Sequence, residues 1–253
     1  MRLDIATSLR LMQRPVFSTS NQDLIDLLDT YWKFNESSDG SAPVTRVDSG
    51  PNSVDLTDNN TTPSTTGLVY ALAADFDGAN SEYFSSTNNA TLDKGDEDFS
   101  LVFWVKFGNL TGTQMVMAKD VTTTGYSGDY TVWLDATTDR MVFGYSTGPA
   151  SEQFAVDATF GPLTAGVWYM VTGGYDTNRQ RGFITVNTSA ITETNVGIHS
   201  AANTEPLKVG RRNYTGAPSH ATAVTGPAML FHGVLSTSQI SRLYNGGAGL
   251  ALF

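Results

Sequence analysis

The sequence predicts an all-β protein, an antiparallel β-sandwich of jelly-roll type with a short N-terminal helix and one short C-terminal helix. Three observations carry that prediction. From Tyr31 onward, runs of four to nine β-prone residues alternate with clusters of Gly, Asn, Asp, Pro and Thr. One of these runs, Phe99-Ser-Leu-Val-Phe-Trp-Val-Lys-Phe107, is apolar on both alternating faces, as a strand covered on both sides must be. Thr, Ser and Asn make up about 28% of the 253 residues against 16% charged residues, so hydroxyls and amides supply the polar surface.

The elements follow in order. Residues 1–19 carry Arg2, Arg10 and Arg14 against Asp4, a net +2, while the rest of the chain holds −12 of the total −10. Asp4, Arg10 and Arg14 interrupt every stretch that could serve as the apolar core of a secretion signal. The segment reads as a frayed terminus, as an organelle transit peptide, or as a basic arm docking on an acidic partner or on another copy of this acidic body. Ser20-Asn-Gln-Asp23 then resembles a capping box opening a short helix with Leu24, Leu27 and Leu28 on one face. Strands are expected at 31–35, 54–57, 68–76, 82–85, 99–107, 114–119, 130–135, 140–146, 167–175, 183–186, 207–209 and 228–232. The Asn/Thr-rich stretch 58–66 reads as a loop. Pro227 restricts the last strand to a sheet edge or a bulged start. Ser236 caps the closing helix, and Gly246 lies just past its end. The division is therefore an arm with a short helix, 1–30, and one sandwich domain, 31–253.

Composition removes several function classes. Without cysteine there is no disulfide framework, iron–sulfur cluster, thiolate zinc site or cysteine nucleophile. An isoelectric point near 4.6 argues against phosphate-driven nucleic-acid binding. No apolar run approaches the roughly 18 residues of a membrane-spanning helix.

Several segments, taken in order, resemble the laminin-G-like jelly rolls of the concanavalin A-like lectin/glucanase group. They are Tyr31-Trp-Lys-Phe-Asn-Glu36 with Val47-Asp-Ser-Gly50; Asp75-Phe-Asp-Gly78 with Ser81-Glu-Tyr83; and the strand at 99–106. Gly166-Val-Trp168 with Tyr175-Asp176, Leu207-Lys-Val-Gly-Arg211, and the closing Leu235-to-Gly247 segment complete the set. The resemblance implies two antiparallel sheets packed face to face, with Trp32, Trp104 and Trp168 in framework positions. It fixes no chemistry, because the same fold hosts lectins, glycosidases, adhesion modules and virion proteins.

Catalysis is not expected. Glucanases of this fold place two or three acidic residues alternately along one strand, and no such run occurs. Asp93, Asp96, Glu97 and Asp98 cluster beside Gly95 and read as a solvated turn. Gly144-Tyr-Ser-Thr-Gly148 fits the nucleophile-elbow pattern but lies in a hairpin strand rather than at a strand-to-helix turn. His199, His220 and His232 show no metal-ligand spacing.

Binding is the open possibility. Sugars pair an apolar ring face with a rim of hydroxyls, and aromatic platforms with planar polar side chains match both. Trp133 points away from the side of its strand that carries Tyr130, Val132 and Leu134; Tyr126 and Tyr214 sit in loops where packing does not require an aromatic. The alternative for Trp133 is a place under a loop or in a subunit contact. Several relatives in the resembling group bind calcium at the sandwich rim, and Asp75 and Asp77 offer oxygen ligands there. A turn-stabilising role is the competing reading.

The leading expectation is a non-catalytic structural or adhesion protein of a phage virion, as a capsid decoration or fibre, made in the host cytoplasm and displayed on the particle surface. Residues 1–30 would dock to capsid or other virion proteins through Arg2, Arg10 and Arg14, in a homo-oligomer, with the sandwich exposed to cell-surface glycans. The alternative is an extracellular carbohydrate-binding lectin module, with a glycosidase third.

Overall fold

The computed structural model describes residues 21–36, 45–121, 128–148, 151–200, 203–214 and 219–253. One turn of helix, α1 (Gln22–Ile25), leads into β1 (Leu28–Trp32). Short strands follow: β2 (Thr45–Arg46), β3 (Leu56–Asn59), β4 (Ser64–Thr66), β5 (Leu72–Phe76) and β6 (Tyr83–Ser85). The middle of the chain supplies β7 (Phe99–Phe107), β8 (Gln114–Lys119), β9 (Tyr130–Asp135), β10 (Arg140–Gly148) and β11 (Ser151–Val156). Last come β12 (Tyr169–Asp176), β13 (Arg181–Val186), β14 (Thr192–Glu193), β15 (Lys208–Val209), β16 (Ala223–Phe231) and the helix α2 (Thr237–Tyr244).

These strands form two antiparallel sheets. The first runs β14-β13-β12-β7-β16-β5-β4, with β1 also paired to β16; the second runs β11-β10-β9-β8-β15-β6-β3-β2. The sheets face each other across one apolar core, to which β7 contributes Phe99, Leu101, Phe103, Val105 and Phe107. Its other face sends Val102 and Trp104 into a second cluster, under Leu24 of α1 and Ile240 and Leu243 of α2. Trp104 stacks on Tyr244 of α2 with ring centroids 5.8 Å apart. The two-sided apolar pattern of this strand therefore has its cause: a sheet on one side and helices on the other.

The predicted bounds of β7, β8 and β9 are those observed. Differences lie mainly where strands are short or polar. β1 begins at Leu28, three residues early, because Asp29 is buried with a partner, Lys94 Nζ at 2.6 Å, and does not break the run. The expected border at residue 30 thus falls inside a strand that pairs with β16 from Leu28 to Trp32. The cap of α1 is Asn21, whose side chain makes no capping hydrogen bond; Ser20 of the expected capping box lies outside the described residues, and Leu28 already belongs to the sheet. The expected strand at 68–76 starts only at Leu72, after a turn in which the Gly67 N–H donates to the Ala71 carbonyl.

Pro227 does not lie on an edge. It sits in β16, between β7 on one side and β1 and β5 on the other, where the pairing register to β7 shifts between Thr225 and Ala228. The bulge absorbs the missing N–H, and it separates the half of β16 that pairs with β5 from the half that pairs with β1. Of the framework tryptophans, Trp32 and Trp104 are buried, whereas Trp168 is half-buried just before β12, with Lys106 Nζ 5.3 Å from its ring centroid.

The double burial of β7 sets an expected outcome. Trp104→Ala should lower unfolding free energy by about 3–5 kcal/mol, as for other buried tryptophans. The loss is measurable as a reduced urea midpoint with an unchanged slope.

Candidate functional site

Among the described residues both α-helices pack on the first sheet, and the outer face of the second at β8 to β11 is formed by strands and a loop. On β9, β10 and β11 the core-facing residues are Tyr130, Val132, Leu134, Met141, Phe143, Tyr145 and Ala155. Alternation sends Thr131, Trp133, Val142, Gly144, Glu152, Phe154 and Val156 outward. Register places Gly144 directly between Thr131 on one side and Phe154 on the other. A Cβ at Gly144 would stand 2.8 Å from Phe154 Cδ1 and 3.0 Å from Trp133 Cζ3. The missing side chain is what lets the two rings meet over β10, at 5.3 Å and 88°.

That aromatic corner forms one wall of a cavity of about 310 Å³. Thr113 just before β8, Met115 of β8, Thr131 of β9, Glu152 of β11, and Arg212 and Tyr214 from the loop after β15 line the remainder. The Arg212 guanidinium lies 5.1 Å from the Tyr214 ring centroid. Its Nε donates to Asp120 Oδ2 at 3.0 Å, while the Asn213 N–H donates to Asp120 Oδ1 at 2.6 Å. Asp120 is 2% exposed, so this buried carboxylate anchors the loop that carries both cavity residues. Burial pushes the Glu152 carboxyl up to about 7, against the favourable pull of Arg212 and with a further push from Asp120.

The residues expected from sequence divide clearly. Trp133 and Tyr214 come together in this cavity. Tyr126, Arg2, Arg10 and Arg14 lie outside the described residues. Asp75 and Asp77 belong to the first sheet and the turn after it. The Asp77 carboxylate accepts from the Ala79 N–H at 2.9 Å and from Asn80 Nδ2 at 3.1 Å, capping the 3₁₀ turn Gly78–Asn80. Burial, opposed by Lys106, raises the Asp75 carboxyl. Among the described residues, no group of three or more His, Asp or Glu side chains is arranged to hold a metal ion.

In the acidic cluster before β7, Asp96 and Glu97 are exposed in a bend, while Asp93 and Asp98 tie it to its neighbours. Asp93 Oδ1 lies 2.7 Å from the buried Lys119 Nζ, and Asp98 Oδ1 accepts from both the N–H and the hydroxyl of Thr177. Glu152, Phe154 and Arg212 of the lining, and Gly144 beneath the two rings, are residues that sequence reasoning did not select. Gly144 carried a usable signal, since a lone glycine inside a strand marks a close approach. The elbow-like pattern around it is a coincidence of that strand.

Two outcomes follow from this geometry. Gly144→Val should force Trp133 and Phe154 apart and change the near-ultraviolet circular dichroism of the tryptophan, with a stability loss of about 1–3 kcal/mol. Glu152 binds its proton more tightly folded than unfolded, so between its unfolded value, near 4.5, and about 7 it withdraws stability as pH rises. Glu152→Gln should therefore match wild type in urea unfolding at about pH 4 and exceed it by about 1–2 kcal/mol at about pH 8. That margin is kept below the full shift because the carboxyl retains solvent access.

Among solved structures, domain 4 of AbnA, an extracellular arabinanase from Geobacillus stearothermophilus solved with arabinotriose, is 16% identical, with TM-score 0.55. The match covers 85% of this chain and 97% of that one. A botulinum neurotoxin type C, which enters cells dependent upon interaction with two ganglioside molecules, is 13% identical with TM-score 0.66 over 90% of this chain and 53% of the toxin chain. The Trypanosoma rangeli sialidase is 16% identical with TM-score 0.59, over 88% of this chain and 33% of the enzyme. The chain thus spans about half of that toxin chain and a third of that enzyme, and at these identities the likeness is one of fold. No curated protein matches the sequence. The model of the concanavalin A-like lectin/glucanases superfamily matches residues 77–241, well over half the chain, and the protein belongs to that family.

Proposed function

We propose that this chain is a non-catalytic glycan-binding module whose site is the aromatic cavity on the outer face of the second sheet. The observation that carries the reading is the pairing of Trp133 and Phe154 beside a rim of Thr113, Glu152, Arg212 and Tyr214. A sugar ring offers an apolar face to the aromatics and hydroxyls to the rim, and the cavity has the size of one to two such rings. Among the described lining residues Glu152 is the only carboxylic acid. Hydrolysis of a glycosidic bond ordinarily needs two, about 5–10 Å apart across the bond. Structures of the same fold that are described with arabinotriose or gangliosides support the ligand class.

In the fuller reading the module acts in adhesion on a phage virion, as a homo-oligomer held to capsid or other virion proteins by its basic start. The charge division supports it: +2 over residues 1–19 against −12 over the remainder favours contact between that segment and an acidic surface. Deleting residues 1–19 should release the protein from particles, and unchanged particle association would remove the docking role.

The glycan reading has its own test. On a glycan array, wild type should bind a restricted set of structures, and Trp133→Ala should weaken that binding about ten-fold or more, about 1.4 kcal/mol. Equal binding by a folded Trp133→Ala variant would take the cavity out of the function.

A further inference from the structure

The charges around the cavity are not equivalent. Arg212 is held by Asp120, itself buried, so its positive charge is balanced inside the protein. Glu152 lines the cavity from the facing edge strand, and its carboxyl makes no hydrogen bond among the described residues. Its cross-strand neighbour, Ser146, is uncharged, and Arg212 and Asp120 are the charged groups that act on it. With Arg212 and Asp120 cancelling, the ionised Glu152 leaves the cavity one negative charge in excess. The walls around that charge are the rings of Trp133, Phe154 and Tyr214, whose faces attract cations and repel anions.

We propose that the glycan accepted here, given the sugar-binding role of this cavity, is an amino sugar whose ammonium sits between the Glu152 carboxylate and the aromatic walls. An ammonium would supply the donor that Glu152 lacks and would balance its charge in a partly desolvated place, where such a pair is worth more than on open surface. A uronate or a sialic acid would instead set its carboxylate against Glu152 and the ring faces, with Arg212 already engaged by Asp120. An N-acetylated sugar offers a neutral amide and no charge to balance. The burial that holds Glu152 near 7 makes the preference depend on pH: below that value the carboxyl is neutral before the ligand arrives, and an ammonium must displace its proton.

Calorimetric titration of the full chain tests this with four probes: a β-1,4-linked glucosamine trimer, its fully N-acetylated form, a uronate trimer and choline. At about pH 7 the glucosamine trimer should bind about ten-fold tighter than the acetylated one, and the isosteric Glu152→Gln should reduce that ratio to about three-fold or less. Lowering the pH to about 5 should weaken glucosamine binding about ten-fold in wild type and leave Glu152→Gln nearly unchanged. Equal or tighter binding of the acetylated or uronate trimer, lost in Trp133→Ala, would overturn the amino-sugar assignment while leaving the cavity a glycan site. Binding of choline without any of the trimers would move the assignment from sugars to free amines. Absence of binding by all four, with the array unaffected by Trp133→Ala, would overturn both readings.

Discussion

The structure depends on one strand having no solvent face. β7 gives five side chains to the core between the sheets and two more to the cluster beneath the helices, so neither layer exists without it. Because β12 and β16 flank it in the sheet, fixing β7 also fixes the order of the strands on either side. The consequence reaches the termini. β1 pairs with the far half of β16, and Asp23 of α1 meets Arg242 of α2 at 2.5 Å, so both helices close over the same face. Covering the first sheet in this way uses the available helices. The second sheet is left with an outer face that must be made compatible with water by its own side chains.

That open face explains the site. A sheet facing solvent is expected to alternate apolar and polar residues, and β9 obeys with Thr131 and Asp135 on either side of Trp133. The tryptophan is the exception, and it is tolerated because Phe154 comes across Gly144 to cover one edge of its ring. What results is a half-buried aromatic corner rather than a flat apolar patch, with Phe154 itself 44% exposed. The loop after β15 adds the polar wall, and it is held by a buried carboxylate, Asp120, reached through both a side chain and a backbone N–H. The site is assembled on β8, β9, β10 and β11 together with one anchored loop, so most of its side chains stand on strands.

How much of this could be read from the sequence follows from how each element is stabilised. β7, β8 and β9 were legible to the residue because long runs of buried apolar side chains define them. The sandwich and the outward direction of Trp133 follow from the same alternation. β2, β4, β11 and β14 were not legible: they are two to six residues long, largely polar, and formed by pairing with a stronger neighbour. β1 was cut short because Leu28 was read as part of the helical face of Leu24 and Leu27, and only the fold brings Lys94, 65 residues away, to the side of Asp29. Trp133 and Tyr214 were both legible as candidates, yet that they share one cavity depends on register between β9 and β11 and on the Asp120 anchor. No local pattern encodes either.

The same logic shows why half the cavity was hidden. β11 is the edge strand of its sheet, and Ser151, Glu152 and Gln153 open it with polar groups that discourage pairing with another chain. That polarity erased the strand from the apolar pattern and placed a carboxyl beside two aromatic rings. An edge strand protected against aggregation and a binding wall with a selective charge thus place the same demand on its residues. Phe154 can be exposed there because Trp133 covers part of it, and the pull of Arg212 offsets only part of the desolvation of Glu152. Gly144 is the hinge of the arrangement: any side chain on it would separate the two rings and uncover both. The meeting of the two rings that wall the site therefore rests on a residue beneath them that contributes no functional group.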